Sequence, residues 1–143
     1  MLGTYAGGGP SSDVTQTDRA SVALAAARRG GEAAVATFRA GIDVETKANK
    51  TDYVTQADRD AQRRAVETIR ETFPDDVIVG EEDGHDRPVP ESGAAWVIDP
   101  IDGTSNYVRG LPMWATSVAA VVDGETVAAA NVMPSLDDEV VLA

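Results

Sequence analysis

Two carboxylates three residues apart, Asp99 and Asp102, follow the short apolar run Ala94-Ala95-Trp96-Val97-Ile98. A run of that length and composition is expected to form a buried strand. Carboxylates at the end of such a strand must reach solvent, pair with cations or hold a metal, because burying them alone is costly. Pro100 fixes its own φ and biases Asp99 toward an extended backbone. Asp99 is therefore expected to finish the strand facing a cleft, with Asp102 one turn later. Hard divalent cations such as Mg²⁺ take oxygen ligands, commonly one or two carboxylates together with water and substrate phosphate. Asp99, Asp102 and the carbonyl of Ile101 offer three oxygens within four residues. Gly103 allows close backbone approach. The N–H groups of Gly103 and Thr104, opening a short helix, suit a phosphate, and Thr104 adds a hydroxyl. This chemistry points to phosphoryl transfer assisted by a metal; a strand–turn–helix with a solvated Asp pair fits the same local residues.

Three motifs extend the pattern. Asp99-Pro100-Ile101-Asp102-Gly103-Thr104-Ser105-Asn106-Tyr107 resembles the Asp-Pro-Ile-Asp-Gly-Thr-x-Asn-Phe signature of the inositol monophosphatase family, within the Mg-dependent, lithium-sensitive phosphatase superfamily. It departs from that signature only in having Tyr107 for Phe. Gly80-Glu81-Glu82 resembles the family's upstream Gly-Glu-Glu element. Lys47, Asp52-Tyr53-Val54-Thr55 and Asp58 resemble its Lys…Asp-x-Val-Thr-x-x-Asp segment. The resemblance runs from about Arg19 to the end of the sequence and corresponds to the N-terminal half of the family's chain.

The resemblance implies hydrolysis of a phosphate monoester with two or three Mg²⁺ ions. Glu81, Asp99 and the Ile101 carbonyl would hold one ion, with Glu81 bridging, and Asp99 and Asp102 a second. Asp58 and Thr104 would orient the attacking water, and the Gly103 and Thr104 amides would hold phosphate. Lys47 and Asp52 would belong to a mobile active-site hairpin near a loosely held third ion, with Glu82 a supporting neighbour. The family's second half supplies a further metal-binding Asp and much of the substrate pocket, so a C-terminal half or a homodimer is expected to complete the site. Three functions follow: a sugar or cyclitol phosphatase (inositol monophosphate or fructose 1,6-bisphosphate), a catalytically impaired metal-binding half that needs a partner chain, or a nucleotide 3′-phosphatase.

Other readings of the same residues are structural. In a chain with 24 acidic residues, Glu81-Glu82-Asp83 also reads as a solvated loop. Asp58 also reads as a first-turn carboxylate stabilised by the helix dipole, and Lys47 as an edge lysine that blocks strand aggregation. His85 reads as a surface loop residue, and Trp96, Trp114, Met113 and Tyr107 as packing.

Composition narrows the alternatives. The 143 residues suffice for one domain with a real core. Hydrophobic residues make up 43% and aromatics only 5%, so Ala, Val, Ile and Leu must build most of that core. The absence of cysteine excludes thiolate nucleophiles and Cys-zinc sites, and a lone histidine argues against a His-rich metal centre. The net charge of −12 repels nucleic acid and acidic membranes. No stretch reaches the roughly 20 apolar residues of a membrane span. The N-terminus lacks a signal-peptide pattern, and a cytoplasmic location is the expectation.

The elements that must position these motifs follow in order. Residues 1–16 read as a flexible tail and residues 17–143 as the N-terminal part of an inositol-monophosphatase-like domain. A helix capped by Thr17 or Asp18 runs to about Arg39, with Val22, Leu24, Ala26, Val35 and Phe38 on its apolar side. Gly30-Gly31 marks either a break in it or close packing. Residues 42–47 alternate like a half-exposed strand and residues 48–52 read as a loop. A second helix, capped by Thr55, spans residues 54–73 and buries Ala61, Ala65, Val66, Ile69 and Phe73. Short strands follow at residues 77–79, 94–98, 114–122, 126–132 and 139–142, with a hairpin turn at Asp123-Gly124. The fold class is α/β of the layered α+β type: two N-terminal helices packed on a largely antiparallel sheet.

Ten arginines, only two lysines and a strong acidic excess fit a halophilic cytoplasm, where salt screens self-repulsion. The thermal unfolding midpoint is expected to rise steadily from dilute to molar KCl; a midpoint that ignores salt would exclude this origin for the charge.

Overall fold

The computed structural model describes residues 12–39 and 47–143, with side chains from Asp18 to Arg39 and from Tyr53 onward. Two long helices, α1 (Ser12–Thr37) and α2 (Lys47–Thr72), precede a five-stranded sheet. Its strands are β1 (Val77–Val79), β2 (Ala94–Asp102), β3 (Ala115–Val122), β4 (Glu125–Met133) and β5 (Asp138–Leu142), ordered as in the sequence. The β1–β2 pair is parallel and the other three pairs are antiparallel. A short helix, α3 (Thr104–Val108), follows β2. The two helices pack together, with α1 across β3 and β4 and α2 on β2. The layered arrangement expected from the sequence is the one observed.

Several boundaries differ from expectation. Helix α1 begins at Ser12, ahead of the expected cap. Of the expected strand at residues 42–47 only Lys47 is described, and it opens α2. Residues 48–52, expected as a loop, are helical, since no proline or glycine interrupts them. Thr55 is therefore not a cap, and Asp58 lies well inside α2 rather than in its first turn, so the helix dipole does not explain it. Met113, expected to pack, is 56% exposed, and Val35 lies on the outer side of α1.

The apolar side of α1 is a row of small residues rather than large ones. Ala23, Ala26, Ala27 and Ala34 are fully buried, and Gly30-Gly31 continues the helix without a break. A Cβ on Gly30 would stand 3.0 Å from the Ala61 carbonyl oxygen and 3.2 Å from Thr116 Cγ2; one on Gly31 would stand 2.8 Å from Pro134 Cγ. The pair thus serves close packing of α1 against α2, β3 and the turn after β4. Small side chains let two helices and a sheet approach closely, and the aromatic residues fill what remains.

The core has two parts. One gathers Ile69, Ile78, Trp96, Ile98 and Val118 beneath α1 and α2. There Asp76 accepts from Trp96 Nε1 at 2.9 Å and from Arg19 at 3.0 Å, while the Arg19 guanidinium lies over Phe73. The other part gathers Ala34, Ala57, Ala61, Ile101, Tyr107 and Trp114, joined by Phe38, Tyr53 and Val54. It lies under the motif residues.

If Gly30 serves close packing, Gly30→Ala will not show the gain of about 1 kcal/mol that alanine normally brings to a helix interior. Gly30→Val will lose about 1–3 kcal/mol to overpacking. Urea unfolding midpoints check both; a stabilised alanine variant would restore the reading of Gly30 as a tolerated defect.

Candidate active site

The parallel β1–β2 pair carries two chain segments to the same edge, with Val79 level with Val97. Glu81 and Glu82 follow the one strand, and Asp99 and Asp102 close the other. In a regular strand, residues three apart face opposite sides, which would separate Asp99 from Asp102. The ladder with β3 instead shifts register between these two residues. Both aspartates emerge exposed, while Pro100 and Ile101 turn inward. The strand therefore does not end at Asp99, as the proline suggested; it continues through an irregularity to Asp102. Thr116, fully buried, donates to the Pro100 carbonyl at 2.8 Å and fixes that distortion from β3. Irregularities of this kind re-aim side chains beside active sites.

Gly103 follows with φ 92°, a conformation that glycine adopts at no steric cost. A Cβ there would also lie 3.1 Å from the Met113 carbonyl oxygen. That same oxygen accepts from Asn106 Nδ2 at 2.8 Å, which ties α3 to the segment leading into β3. Thr104 donates its hydroxyl proton to the Ile101 carbonyl at 3.0 Å. This bond orients the hydroxyl oxygen as an acceptor and occupies one lone pair of the carbonyl expected to bind metal.

The carboxylates act on one another. Burial, followed by the charges of Glu82, Glu81 and Asp99, pushes Asp58 up to about 7. Asp99 is also raised, by burial and then by Asp102 and Glu81, against the opposing effect of the Ile101 backbone N–H. Asp58 from α2, Glu81 and Glu82 from the loop after β1, and Asp99 and Asp102 from the irregular end of β2 thus share one negative field. Among the described residues, no three acidic or imidazole side chains stand ready as a closed metal-binding group. The donor set is all oxygen, its charge is unmatched and Asp99 and Asp102 are exposed, which together fit a hard divalent cation held partly through water. Lys47 and Asp52 lie in the first turns of α2, and their side chains lie outside the described residues.

One residue of the site carried no flag in the sequence reading. Gln62, only 1% exposed, sits one helical turn after Asp58. Its Nε2 donates to the Glu82 carbonyl at 2.7 Å, and its Oε1 accepts from the Glu82 N–H at 3.3 Å. The available signal was a polar residue set among Ala61, Ala65, Val66 and Ile69 on the buried face of a helix. Tyr107 belongs to the support as well. Its hydroxyl donates to the Ala34 carbonyl at 2.8 Å and lies 2.8 Å from the Thr37 hydroxyl. The Tyr53 hydroxyl donates to the Thr37 carbonyl. Burial pushes the Tyr107 phenol well above its ordinary range, so it remains a protonated donor.

Fold and site together define a two-layer α/β unit with an acidic cluster where a parallel strand pair ends. The profile of the inositol monophosphatase family matches residues 15–143. The chain is 43% identical over 97 residues to the fructose-1,6-bisphosphatase/inositol-1-monophosphatase of Thermotoga maritima, which covers 67% of this chain and 36% of that protein. It is 38% identical over 107 residues to the Nus factor SuhB of Pasteurella multocida, covering 74% of this chain and 40% of that one. Among solved structures, the Thermotoga maritima IMPase superposes with a TM-score of 0.69 at 33% identity, over 87% of this chain and 48% of that chain. The chain belongs to the inositol monophosphatase family. It spans less than half the length of each of these relatives. Among the described residues no helix is long and apolar enough to cross a membrane.

Because folded Asp58 holds its proton more tightly than an unfolded aspartate, its contribution to stability is complete at acid pH. That contribution is lost as the pH rises through about 7. In chelator-containing buffer the unfolding midpoint is expected to fall as the pH rises from about 4 to about 7 and to level off by pH 8. Asp58→Asn should flatten this fall and surpass wild type at pH 8; parallel curves for the two proteins would refute the shared field.

Proposed function

We propose that this chain is the metal- and phosphate-binding part of a Mg²⁺-dependent phosphatase that hydrolyses a phosphate monoester of a sugar or cyclitol, such as inositol monophosphate or fructose 1,6-bisphosphate. The observation that carries the reading is the gathering of Glu81, Asp99 and Asp102 at the joined ends of β1 and β2 beside Asp58 of α2, where burial first and neighbouring acidic residues second raise Asp58 and Asp99. Carboxylates gathered without a counter-charge suit a divalent cation, and the names of the Thermotoga relatives support the ester class.

In this reading Glu81, Asp99, Asp102 and the Ile101 carbonyl hold Mg²⁺. When bound, Mg²⁺ neutralises phosphate charge and lowers the pKa of coordinated water. The chain's own groups do the rest. Asp58 accepts a hydrogen bond from the attacking water and takes up its proton. Thr104, its own proton committed to the Ile101 carbonyl, presents lone pairs that orient the same water. The amides of Gly103 and Thr104, at the start of α3, face phosphate oxygens. Glu82 holds the loop that carries Glu81, and Lys47 and Asp52 at the start of α2 serve the loosely held third ion.

Because the matched stretches span only 40% and 36% of these two relatives, the substrate pocket is read as completed from outside these residues, by a C-terminal half or a partner chain. Phosphate release from inositol monophosphate with Mg²⁺ is expected to be low with this chain alone. It should rise when a C-terminal half from a relative is supplied. Asp99→Asn should lower turnover of the complemented protein at least about 100-fold, the upper range for disturbing groups that merely support metal ligands. Undiminished turnover in that variant would overturn the assignment, and preferential release from a nucleotide 3′-phosphate would move the substrate class.

A further inference from the structure

Glu81 and Glu82 lie in a loop that closes on itself. The Gly80 N–H donates to the His85 carbonyl at 3.0 Å, and the His85 N–H donates to the Glu82 carbonyl at 3.2 Å. Such a ring fixes its own shape but not its place relative to α2, which carries Asp58. Asp83 meets Arg63 at 2.8 Å and Arg59 at 3.8 Å, but these pairs are exposed and such pairs hold position weakly. Gln62 is different. Its amide pairs with both the N–H and the carbonyl of Glu82 from a fully buried position, as a neighbouring strand would. Together with the His85 N–H, it gives the Glu82 carbonyl two donors. A Cβ on Gly80 would lie 2.5 Å from Gln62 Oε1, so the loop backbone rests directly on this side chain.

Gln62 stands four residues after Asp58, and residues so spaced share a helix face. One face of α2 therefore presents a carboxylate to the acidic cluster and, a turn away, an amide to the loop bearing Glu81. We propose that Gln62 is a positioning residue: it holds the loop bearing Glu81 against α2 and so sets where the Glu81 carboxylate stands relative to Asp99 and Asp102 in the cation site and to Asp58 beside it. The proposal rests on the reading of the cluster as a cation site. Buried amide-to-backbone pairs of this kind are directional and resist exchange with water, which a charge pair at the surface cannot match.

Mn²⁺ takes the same oxygen ligands as Mg²⁺, and its free fraction is read directly by electron paramagnetic resonance. Gln62→Met fills the same space without the amide. It is expected to weaken Mn²⁺ binding by the full chain about tenfold, the lower range for loss of groups that orient metal ligands. Ile69→Val, a core change with a comparable stability cost, should leave Mn²⁺ affinity within about twofold. If Gln62→Met does not fold, Gln62→Asn, whose amide is one methylene short, takes its place with the same expectation. Asp99→Asn separates the two readings. If it abolishes Mn²⁺ binding and the Gln62 variant binds like wild type, the positioning role is wrong and the cation site stands. If Asp99→Asn, or Ile69→Val relative to the Gln62 variant, makes no difference, the positioning role falls, and in the first case the cation site falls with it.

Discussion

Like charges held within each other's field repel, and this constraint governs the rest of the structure. Asp58, Glu81, Glu82, Asp99 and Asp102 come from three segments that would separate if left to themselves. The fold must supply rigidity greater than that repulsion. It does so beneath the cluster rather than within it, through the packed group of Ile101, Tyr107, Trp114, Ala57 and Ala61. Two residues there are sequence neighbours of the charges they support: Ala57 precedes Asp58, and Ile101 precedes Asp102. A buried apolar residue next to an acidic one anchors the latter through the backbone.

Rigidity on this scale requires close approach, which the small residues of α1 provide. The alanines and the Gly30-Gly31 pair bring α1 against α2 and β3 at backbone distance. Dispersion and exclusion of water then act over a broad, flat contact rather than through a few large side chains. Thr116 lies at the junction. Its methyl faces Gly30 and its hydroxyl binds the Pro100 carbonyl. One side chain thus links the helix contact to the distortion that turns Asp99 and Asp102 outward together.

Much of the fold was legible because its strands are short and bounded by turn residues. Val77 to Val79, the Asp123-Gly124 hairpin and the strand ending in Leu142 all lie where period and turn chemistry put them. The site motif stood out through its resemblance to the inositol monophosphatase signature, since its local residues also fit a strand–turn–helix with a solvated Asp pair. The start of α2 was not legible, since residues 47–52 lack apolar periodicity and local propensity alone does not decide a polar stretch. The register shift in β2 was hidden because Pro100 reads as the end of a strand, whereas the buried hydroxyl of Thr116, sixteen residues away, lets the strand continue. Gln62 was hidden because a polar residue in a helix reads as solvated until the loop it binds is known. The apolar side of α1 differs from expectation in size: Val35 faces outward, and the helix packs through its alanines.

Two of the last four carbonyls of α1, those of Ala34 and Thr37, accept phenol hydroxyls from Tyr107 of α3 and Tyr53 of α2. Carbonyls at a helix end normally bond to water, and the terminal turn opens and closes freely. Here, unwinding that turn would strip the partners from two aromatic rings belonging to other helices, one of them stacked on the other at 5.8 Å. The last turn of α1, the early turns of α2 and the whole of α3 are therefore joined in a single cooperative melting unit. Warming is therefore expected to release these three ends together rather than one after another.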